Sequence, residues 1–549
     1  MGSPPKPARR SGPPRTIAAM NATTTETDRA TGAQAIRNPL TPDVVERLLK
    51  RASVAGAETR TISTPFTGEP LAEIPVGDAA DVDRAFDRAR FAQAAWARVP
   101  VTSRREVLHR FHDLVLTHQG QLMDVVQAET GKNRASAYEE VLHVAITARY
   151  YGNQAEALLK PAKAHGALPV LSPTTVYHHP KGVVGVISPW NYPLTLAISD
   201  ALAAIMAGNA IVLKPDSTTP FSALLAVDLL YRAGLPEGVV QVVPGPGSVV
   251  GQAIVAQADY LMFTGSSETG KSLAKQCGER LIGFSAELGG KNPLIVAEDA
   301  NVKAAVEGAR IACFTNSGHL CVSTERMYVA EEVWDEFVPA FADRTKAMSL
   351  GAGYGWEAEM GSLQSQGQFD IVQKMVHDAV EAGATVLAGG RARPDLGPLF
   401  YEPTILTDVP EGVELLTEEV FGPVVVVHRV ADAEEGIRRA NDSRYGLNAS
   451  LWCSPSRAKE LAPKIQTGSV NVNDGFAATF ASVDAPMGGF KESGVGRRQG
   501  AEGLLKYTDS QTVTVQRVSP ISMPALERET YAKVFTTALK LGKKLGVLP

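Results

Sequence analysis

The sequence predicts an α/β protein with parallel sheets, and three of its features support this. Four strand–helix units follow one another between Val183 and Cys277, and each strand is a short apolar run. A second stretch of alternating strands and helices extends from about Gly289 to Asp484. The length of 549 residues exceeds what one hydrophobic core usually fills, so two or more domains are expected.

Composition and charge exclude several classes of protein. Hydrophobic residues make up 44% of the chain and charged residues 21%, as in ordinary globular proteins. The net charge of −5 argues against nucleic acid as a partner. Four cysteines are too few for a disulfide framework and predict a reducing, cytoplasmic location. No Cys/His cluster has the spacing of a metal site, so no metal is expected.

The ends of the chain differ in character from its middle. Residues 1–40 are rich in Pro, Arg, Thr and Ala and predict a disordered tail, within which Met20 is an alternative start. Residues 170–179 and 511–517 alternate like exposed, unpaired strands, which are edges that need covering. Residues 519–549 have the pattern of a basic amphipathic helix, for which subunit packing and peripheral membrane contact both stay open.

The strands and helices of the middle follow from apolar periodicity. Residues 41–153 have a mainly helical pattern, and within this range 61–76 predicts a short hairpin before the long helical segments. The four units are predicted as strand 183–188 with helix 194–207, strand 210–214 with helix 221–233, strand 239–243 with helix 248–256, and strand 260–263 with helix 268–277. Helices over 331–347 and 364–381 and a strand over 424–429 belong to the second pattern. Loops that follow such strands are where dinucleotides bind.

Two residues are candidates for the chemistry, Cys321 and Glu287. Cys321 follows a small polar turn after an apolar helical run, where a thiol at the edge of the fold can act as a nucleophile. Glu287 lies before two glycines among apolar neighbours, where a carboxylate with a raised pKa can act as a general base. Each feature alone also fits a structural role, since a lone cysteine is usually a small buried hydrophobe.

The segment ELGGKNP at 287–293, followed by NSGHLC at 316–321, resembles the glutamate and cysteine motifs of the aldehyde dehydrogenase superfamily. The likeness extends from about Leu40 to about Val518. It implies an aldehyde dehydrogenase-like α/β fold with a Rossmann-type cofactor-binding domain. The implied parts are the cofactor-binding domain (41–157 and 180–288), the catalytic domain (289–484), an oligomerisation arm (158–179 and 505–518) and the C-terminal helix (519–549). In the family another subunit covers the arm, so a homodimer or homotetramer is implied.

Further motifs assign roles by the same resemblance. SPWNYP at 188–193 resembles the family's PWNxP motif, which implies that the Asn191 amide and the Cys321 backbone N–H stabilise the oxyanion formed from a small-molecule aldehyde. EVFGP at 419–423 implies that Glu419 holds the nicotinamide ribose, and FTGS at 263–266 resembles the turn beneath the nicotinamide. The implied cofactor-binding residues are Ile187, Ser188, Pro189, Trp190, Lys214, Ser217, Gly247, Gly251, Phe263, Thr264, Gly265, Ser266, Leu288, Glu419 and Phe421.

The sequence departs from the family pattern at two places near these motifs. Some relatives carry a second active-site carboxylate in a GxGRE segment, where this chain has GVGRR and therefore Arg498. Glu287 is then the main candidate base. His319 stands where relatives usually have Gln, a change expected to alter only contacts around the nucleophile.

A rival interpretation comes from GSSETGKS at 265–272. It matches the phosphate-loop pattern GxxxxGK[ST], follows a strand and opens a helix, as in nucleotide triphosphatases. Such an enzyme also needs a later strand that ends in a metal-binding Asp, and GFSAELGG offers none in that form.

The turn KPDSTTP at 214–220 bears on the choice of dinucleotide. In a simple dinucleotide fold Asp216 would accept a hydrogen bond from the ribose 2′-hydroxyl and select NAD. NAD-preferring relatives, however, carry Glu at the position of Ser217, and serine beside Lys214 accommodates a phosphate. The resemblance therefore implies NADP as the preferred cofactor and NAD as the poorer one, with Asp216 pointing away from the ribose.

The substrate is the least constrained part of the prediction. Segments such as RLIGFSAELGGKNP and LFYEPTIL most resemble NADP-dependent succinate-semialdehyde dehydrogenases of actinobacteria. Better-understood semialdehyde enzymes bind the substrate carboxylate with two arginines, whose positions correspond here to Ser199 and Thr315. Arg326 and Arg498 are candidate replacements. The alternative is an apolar or aromatic aldehyde in a pocket lined by Tyr192, Phe476 and Phe480.

Overall fold

A helical layer opens the described part of the chain, which in this computed structural model comprises residues 36–164, 172–517 and 527–546. Its elements are α1 (Pro42–Leu49), β1 (Thr59–Ser63), β2 (Pro70–Pro75), α2 (Ala79–Trp96), α3 (Val101–Thr117), α4 (Gln119–Thr130) and α5 (Arg134–Leu159). The antiparallel pair β1–β2 confirms the predicted hairpin. Asp78 and Asp81 form a capping box at the start of α2, which fixes where that helix begins. The tail residues 1–35 lie outside the described residues.

The first large sheet has six strands in the order β19-β9-β8-β5-β6-β7. Its elements are β5 (Val183–Ile187), α6 (Pro193–Met206), β6 (Ala210–Lys214), α7 (Pro220–Arg232), β7 (Val240–Val242), α8 (Gln252–Gln257), β8 (Tyr260–Thr264), α9 (Ser267–Glu279), β9 (Gly283–Glu287) and β19 (Gly494–Val495). All pairs are parallel except β19–β9. The four predicted strand–helix units are confirmed. The helix predicted over 248–256 begins as a π-helical turn, Gly247–Gly251, which continues into α8.

The order of these strands marks a binding crevice. From β5 the chain adds β6 and β7 on one side of the sheet and then returns to add β8 and β9 on the other side. The order therefore reverses between β5 and β8, and in open α/β sheets ligands bind beyond the carboxyl ends of the strands at such a point. Here those ends are Ile187 and Thr264.

The second large sheet has seven strands in the order β12-β13-β14-β11-β10-β16-β17. Its region contains β10 (Asn292–Val296), α10 (Val302–Phe314), β11 (Thr324–Ala330), α11 (Glu331–Lys346), α12 (Gln366–Glu381), β12 (Thr385–Ala388), β13 (Thr404–Thr407), β14 (Val424–Val430), α13 (Ala433–Asn441), β15 (Tyr445–Gly446), β16 (Asn448–Trp452), α14 (Pro455–Leu461), β17 (Ser469–Val472), α15 (Ala477–Ala481) and β18 (Phe490–Lys491). Its strand pairs are parallel except β12–β13. Cys321 lies on the turn between α10 and β11, at the edge that faces the first sheet's Glu287.

The arm is a separate three-stranded sheet made of β3 (Ala162–Ala164), β4 (Thr174–Pro180) and β20 (Thr508–Thr514), with α16 (Gly500–Leu505) leading into β20. The strand β4 pairs antiparallel with β20 on one side and with β3 on the other. The prediction of two unpaired strands is therefore wrong, because the two alternating segments pair with each other. Part of the first predicted segment, residues 165–171, lies outside the described residues.

The last described element is α17 (Arg528–Lys544), a helix that lies within the predicted span 519–549. Among its described residues only Gly542 is buried, and Val534 and Leu541 are more than half exposed. Residues 518–526 and 547–549 lie outside the described residues. No helix in the described part of the chain is both long and apolar enough to cross a membrane.

Candidate active site

The structure brings the three predicted catalytic residues to one cavity. Asn191, Glu287 and Cys321 all line a cavity of about 250 Å³. Glu287 is the last residue of β9, Asn191 lies just before α6, and Cys321 follows α10. A nucleophile, a carboxylate and an amide donor, which are far apart in the sequence, therefore share the walls of a single space.

The turn before Cys321 has an unusual backbone. Asn316 and Ser317 adopt left-handed conformations, with φ of 53° and 56°. Non-glycine residues hold such conformations only where their surroundings enforce them, and these residues cluster at functional sites. Beyond the turn, Asn292 Nδ2 donates to the Cys321 carbonyl oxygen at 2.7 Å. The backbone that carries the thiol is thus held on both sides.

The Cys321 thiol is partly exposed to the cavity. Burial raises the pKa of this thiol to about 12, the Arg498 guanidinium lowers it, and the carboxyls of Glu287 and Glu419 raise it further. The sulfur is therefore predominantly the neutral thiol at pH 7 in the absence of cofactor and substrate. Arg498 is the only charged side chain of this set that favours the thiolate.

Glu287 is buried, with 4% of its surface exposed. Burial raises the pKa of its carboxyl to about 7, and Arg498 opposes that rise. Gly265 N donates to the Glu287 carbonyl oxygen at 3.1 Å, which fixes the end of β9. A carboxylate with a pKa near the working pH, beside a nucleophile, is suited to act as a general base.

Asn191 is positioned by a buried network that the sequence analysis missed. Lys132 Nζ donates to the Asn191 carbonyl oxygen at 2.7 Å and to Glu140 Oε1 at 2.6 Å. The Glu140 carboxylate also accepts from the backbone N–H groups of Leu194 and Thr195, in the first turn of α6. Asn191 Nδ2 donates one hydrogen to His319 O at 3.0 Å, and an amide carries a second hydrogen. Asn191 can therefore serve as an oxyanion donor while it stays anchored.

A second missed pair supports the loop that carries Glu419 and Phe421. Lys291 Nζ donates to Glu325 Oε2 at 2.6 Å, and both side chains are almost fully buried. The Glu325 carboxylate accepts from the backbone N–H groups of Val420 and Phe421. This loop includes a left-handed residue, Phe421, with φ of 52°. The predicted ribose ligand is thus carried on a fixed loop.

His319 is part of the aromatic wall beside the nucleophile. Its ring lies 4.8 Å from the ring of Trp190 and 6.0 Å from that of Phe421. Burial lowers the pKa of His319 to about 3, so the imidazole is neutral at pH 7. Its Nε2 has no hydrogen-bond partner among the described residues.

A larger cavity of about 460 Å³ lies at the crevice between β5 and β8 and shares Pro189, Trp190, Thr264 and Gly265 with the first cavity. Its lining includes ten predicted cofactor residues: Ile187, Ser188, Pro189, Trp190, Lys214, Gly247, Gly251, Phe263, Thr264 and Gly265. The predicted residues Ser266, Leu288, Glu419 and Phe421 line the smaller cavity instead. The two cavities therefore adjoin each other at the residues that they share.

The larger cavity fits a dinucleotide in three respects. A Cβ atom at Gly251 would lie 3.8 Å from Ile187 and 3.9 Å from Lys214, so the glycine keeps the groove open between them. The Ser188 hydroxyl is buried and has no hydrogen-bond partner among the described residues, which leaves it free to bind a ligand. The π-helical turn that leads into α8 borders the groove, and backbone N–H groups at a helix start suit a phosphate.

Ser217 is not among the described residues that line either cavity. Its hydroxyl donates to the Gly245 carbonyl oxygen at 2.9 Å. Asp216 lines the groove instead, and its Oδ1 accepts from Thr218 N at 2.9 Å and from Thr218 Oγ1 at 2.8 Å. Asp216 thus borders the groove, and its direction relative to the ribose stays a prediction. The hydrogen bonds from Thr218 hold the Asp216 carboxylate within its own turn.

The phosphate-loop interpretation is not supported by the segment that suggested it. Lys271, which would hold the phosphates, forms an ion pair with Glu492 at 2.9 Å and is 58% exposed. Ser266 caps α9 by accepting from Thr269 N. Gly265 and Ser266 line the cavity that contains Cys321. The described residues contain no group of three or more His, Cys, Asp or Glu side chains that could hold a metal ion.

A third, apolar cavity of about 100 Å³ lies beside Phe480. Its lining consists of Glu139, Leu142, His143, Ile146, Phe476, Ala477, Phe480 and Ala481. Cys321 and Phe480 pack against one hydrophobic cluster that includes Tyr192 and Phe476. The cavity and Cys321 therefore both adjoin this hydrophobic cluster.

The arginines proposed as carboxylate ligands are engaged elsewhere. Arg326 donates to the carbonyl oxygens of Lys291 and Ala440. Arg498 forms an ion pair with Asp200. Within the described part of the chain, neither arginine lines any of the three cavities around Cys321.

Comparison with known proteins places this geometry in a family. The sequence profile of the aldehyde dehydrogenase family matches residues 53–513. A Mycobacterium ulcerans protein named "Putative succinate-semialdehyde dehydrogenase NADP(+) 2" is 52% identical over 511 residues, which cover 91% of this chain and 99% of that protein. A protein of Mycolicibacterium smegmatis with the same name, without the final number, is 52% identical over 490 residues. The match covers 89% of this chain and 95% of that protein.

Solved structures agree with the sequence relatives. An aldehyde dehydrogenase from Bacillus cereus in complex with NAD+ has a TM-score of 0.81 and 34% identity, and the match covers 88% of this chain and 99% of that one. An Escherichia coli structure titled as an NADP-dependent enzyme has a TM-score of 0.81 and 32% identity, with 86% and 99% covered. The cysteine, glutamate and asparagine around one cavity, the adjoining groove and these relatives lead to the same conclusion: the chain belongs to the aldehyde dehydrogenase family.

Proposed function

We propose that Cys321, Asn191 and Glu287 carry out the oxidation of an aldehyde to a carboxylic acid. The Cys321 thiolate adds to the carbonyl carbon, and the oxygen of the resulting thiohemiacetal accepts from Asn191 Nδ2 and the Cys321 N–H. Residues shared by the two cavities, among them Trp190 and Thr264, would hold a nicotinamide, which would supply the acceptor for the hydride that leaves this carbon. Glu287 then removes a proton from water, which attacks the thioester and releases the acid and the free cysteine. The meeting of these three residues in one cavity supports the proposal.

The test replaces the nucleophile. The Cys321→Ala variant should produce no NADPH or NADH signal at 340 nm with any aldehyde, while fluorescence titration still detects cofactor binding. A Cys453→Ala variant is the matched control, since Cys453 is also a free cysteine but is buried away from these cavities. Turnover by the Cys321→Ala variant would refute the mechanism.

For the cofactor we propose NADP as the preferred dinucleotide and NAD as the poorer one, bound by the domain formed by residues 41–157 and 180–288. The names of the mycobacterial relatives support NADP. Ser217 leaves the turn without the glutamate of NAD-preferring enzymes, and Lys214 is among the residues that line the groove. The carboxylate of Asp216 argues for NAD, so the two residues must be tested separately.

Paired substitutions separate the two interpretations of this turn. Ser217→Glu should raise the ratio of kcat/KM for NAD to that for NADP. Asp216→Asn should leave kcat/KM for NAD unchanged and raise kcat/KM for NADP, because it removes a charge that repels the 2′-phosphate. The proposal would be refuted if the unmodified enzyme prefers NAD and Asp216→Asn lowers kcat/KM for NAD. That result would identify Asp216 as the ribose ligand.

Two substrate classes are supported by different observations. Succinate semialdehyde is supported by the names of the relatives, and its oxidation would yield succinate. We place this reaction in a catalytic domain formed by residues 289–484. Apolar or aromatic aldehydes are supported by the cavity beside Phe480, whose one carboxyl, on Glu139, would repel a substrate carboxylate when ionised. Burial raises the pKa of Glu139 to about 7. The geometry favours the apolar class.

A panel of aldehydes compared by kcat/KM decides between the classes. Benzaldehyde and medium-chain aliphatic aldehydes should be oxidised with higher kcat/KM than succinate semialdehyde. The Glu139→Gln substitution should raise kcat/KM for succinate semialdehyde above pH 7 and leave kcat/KM for benzaldehyde unchanged. A kcat/KM for succinate semialdehyde that exceeds all apolar aldehydes would refute the apolar class and favour the succinate product.

We propose a cytoplasmic homodimer or homotetramer in which another copy covers the arm sheet. The four free cysteines support a reducing compartment. Six of the seven residues of β20 are exposed in the single chain, and an exposed strand is an edge that other strands can join. For α17 we favour subunit packing over contact with a membrane surface. Light scattering that found a stable, active monomer, or co-sedimentation with anionic liposomes, would contradict these proposals.

A further inference from the structure

We propose that Arg498 is a positioning residue that acts through Cys321: its guanidinium, fixed by Asp200, stabilises the sulfur as the thiolate that attacks the aldehyde. The proposal rests on the proposed function, because it gives Arg498 a role in that reaction. It also explains how this chain works with an arginine in the segment where some relatives have a second carboxylate. The proton that leaves the thiol goes to bulk solvent.

The position of Arg498 is set by contacts on both sides. Its backbone N–H donates to Met487 O at 2.7 Å, and its carbonyl oxygen accepts from Met487 N at 2.8 Å. Its Nη2 atom pairs with Asp200 Oδ2 and lies 3.5 Å from the Thr264 hydroxyl. Thr264 lines both the Cys321 cavity and the adjoining groove. The guanidinium therefore lies directly behind the wall of the reaction cavity, with 8% of the residue exposed.

The charges around Arg498 do not balance. Lys506 Nζ lies 3.3 Å from Asp200 Oδ1, so Asp200 is shared by two cations, the buried Arg498 and the half-buried Lys506. Arg498, Lys506 and Asp200 together carry one net positive charge. A buried net charge is costly unless an opposite charge lies near it. The groups beside this cluster that can supply a negative charge are Cys321 and Glu287, with which Arg498 interacts electrostatically.

The other ionisable groups around the nucleophile do not supply the positive charge. Glu287, Glu419 and Tyr192, which interact electrostatically with the sulfur, are acidic groups. The Lys132 ammonium, which lies over the Tyr192 ring, is paired with Glu140. His143, which lies near Arg498, is neutral because burial lowers its pKa to about 3. Arg497 is partly exposed and donates to the carbonyl oxygens of Gly489 and Gly496. Arg498 is thus the cation among these groups that acts on the sulfur.

The test measures the state of the sulfur without turnover. The rate of Cys321 alkylation by iodoacetamide is followed from pH 5.5 to 10 by mass spectrometry of the Cys321 peptide, in the absence of cofactor. Removing an opposite charge near a thiol raises its pKa by about one unit or more, and the thiolate fraction at pH 7 then falls about tenfold. Arg498→Met should therefore slow alkylation at pH 7 by about tenfold or more, while Arg498→Lys should retain most of the rate.

The partner of Arg498 provides the decisive control. Asp200→Asn removes the anion and leaves both cations, so alkylation at pH 7 should become faster than in the unmodified protein. A purely structural role for the ion pair predicts that both variants move in the same direction, since each one breaks the pair. All variants are also made in protein that carries the Glu287→Gln substitution. The pH profile of the alkylation rate then contains no titration of that neighbouring carboxyl.

Each result bears on the proposal. Unchanged alkylation in Arg498→Met, or slower alkylation in Asp200→Asn, would overturn it. If Arg498→Met does not fold, the direction of the change in Asp200→Asn decides alone. Alkylation does not require dehydrogenase activity, so an enzyme that oxidised no aldehyde would refute the proposed function and leave this measurement interpretable.

Discussion

Replacing Lys132 by Met should be among the most destabilising single changes in the helical layer. The Lys132 and Glu140 side chains are completely buried, and their charged atoms lie 2.6 Å apart. The substitution leaves the Glu140 carboxylate buried without a cation, which typically costs about 3–5 kcal/mol. Because Glu140 keeps two backbone donors at 2.9 Å, in Leu194 and Thr195, we expect the lower end, about 3 kcal/mol.

The same change should also impair catalysis. Lys132 Nζ donates to the Asn191 carbonyl oxygen, so its loss frees the residue that we propose as the oxyanion donor. The expected result is a fall in kcat with little change in cofactor affinity.

The assay is urea unfolding followed by circular dichroism, together with steady-state kinetics. Lys50→Met is the matched control: Lys50 forms an ion pair with Glu46 at 3.0 Å, but both side chains are mostly exposed, so stability should hardly change. The double variant Lys132→Met with Glu140→Gln should recover part of the loss, because no buried charge remains. A loss below about 1 kcal/mol for Lys132→Met, or a double variant no more stable than the single one, would refute the reasoning.

Three further predictions follow from the site. Since Glu287 acts as a base only when deprotonated and its pKa is about 7, the rate of thioester hydrolysis should rise as the pH increases through about 7, and a flat profile between pH 5.5 and 8.5 would contradict this. Asn191→Ala should lower kcat by roughly 10²–10³, and a loss below about tenfold would exclude it as a main oxyanion donor. Gly251→Val should weaken cofactor binding in fluorescence titration, because its side chain would reach Ile187 and Lys214 across the groove. Gly120→Val, with open space around it, should leave binding unchanged.

Local patterns predicted the strand–helix units well, because each strand and each helix of the first sheet has its own apolar period. They did not reveal that β4 and β20 pair with each other, since the partner of an alternating strand is not encoded in the strand itself. A similar limit applies to Ser217 and Asp216. The turn was located correctly, but the direction of each side chain depends on hydrogen bonds to Gly245 and Thr218.

The supporting residues of the site were missed for a related reason. Glu140 belongs to an ordinary helical pattern and Lys132 lies in the short turn between α4 and α5, where charged residues are usually exposed, and only tertiary packing buries them. Asp200 did leave a signal. It is an acidic residue in an otherwise apolar run that forms a helix buried along its whole length, and such a residue needs a buried cation. That cation, Arg498, lies far away in the sequence.

The central claim is that oxidation proceeds through a thioester on Cys321 that Glu287 hydrolyses. The Glu287→Gln variant, mixed with NADP and an aldehyde that the unmodified enzyme oxidises, should release about one equivalent of NADPH in a burst and then stall. Mass spectrometry of the quenched protein should find the acyl group of that aldehyde on the Cys321 peptide. An NADPH burst with no adduct, or with the adduct on another residue, would contradict the mechanism.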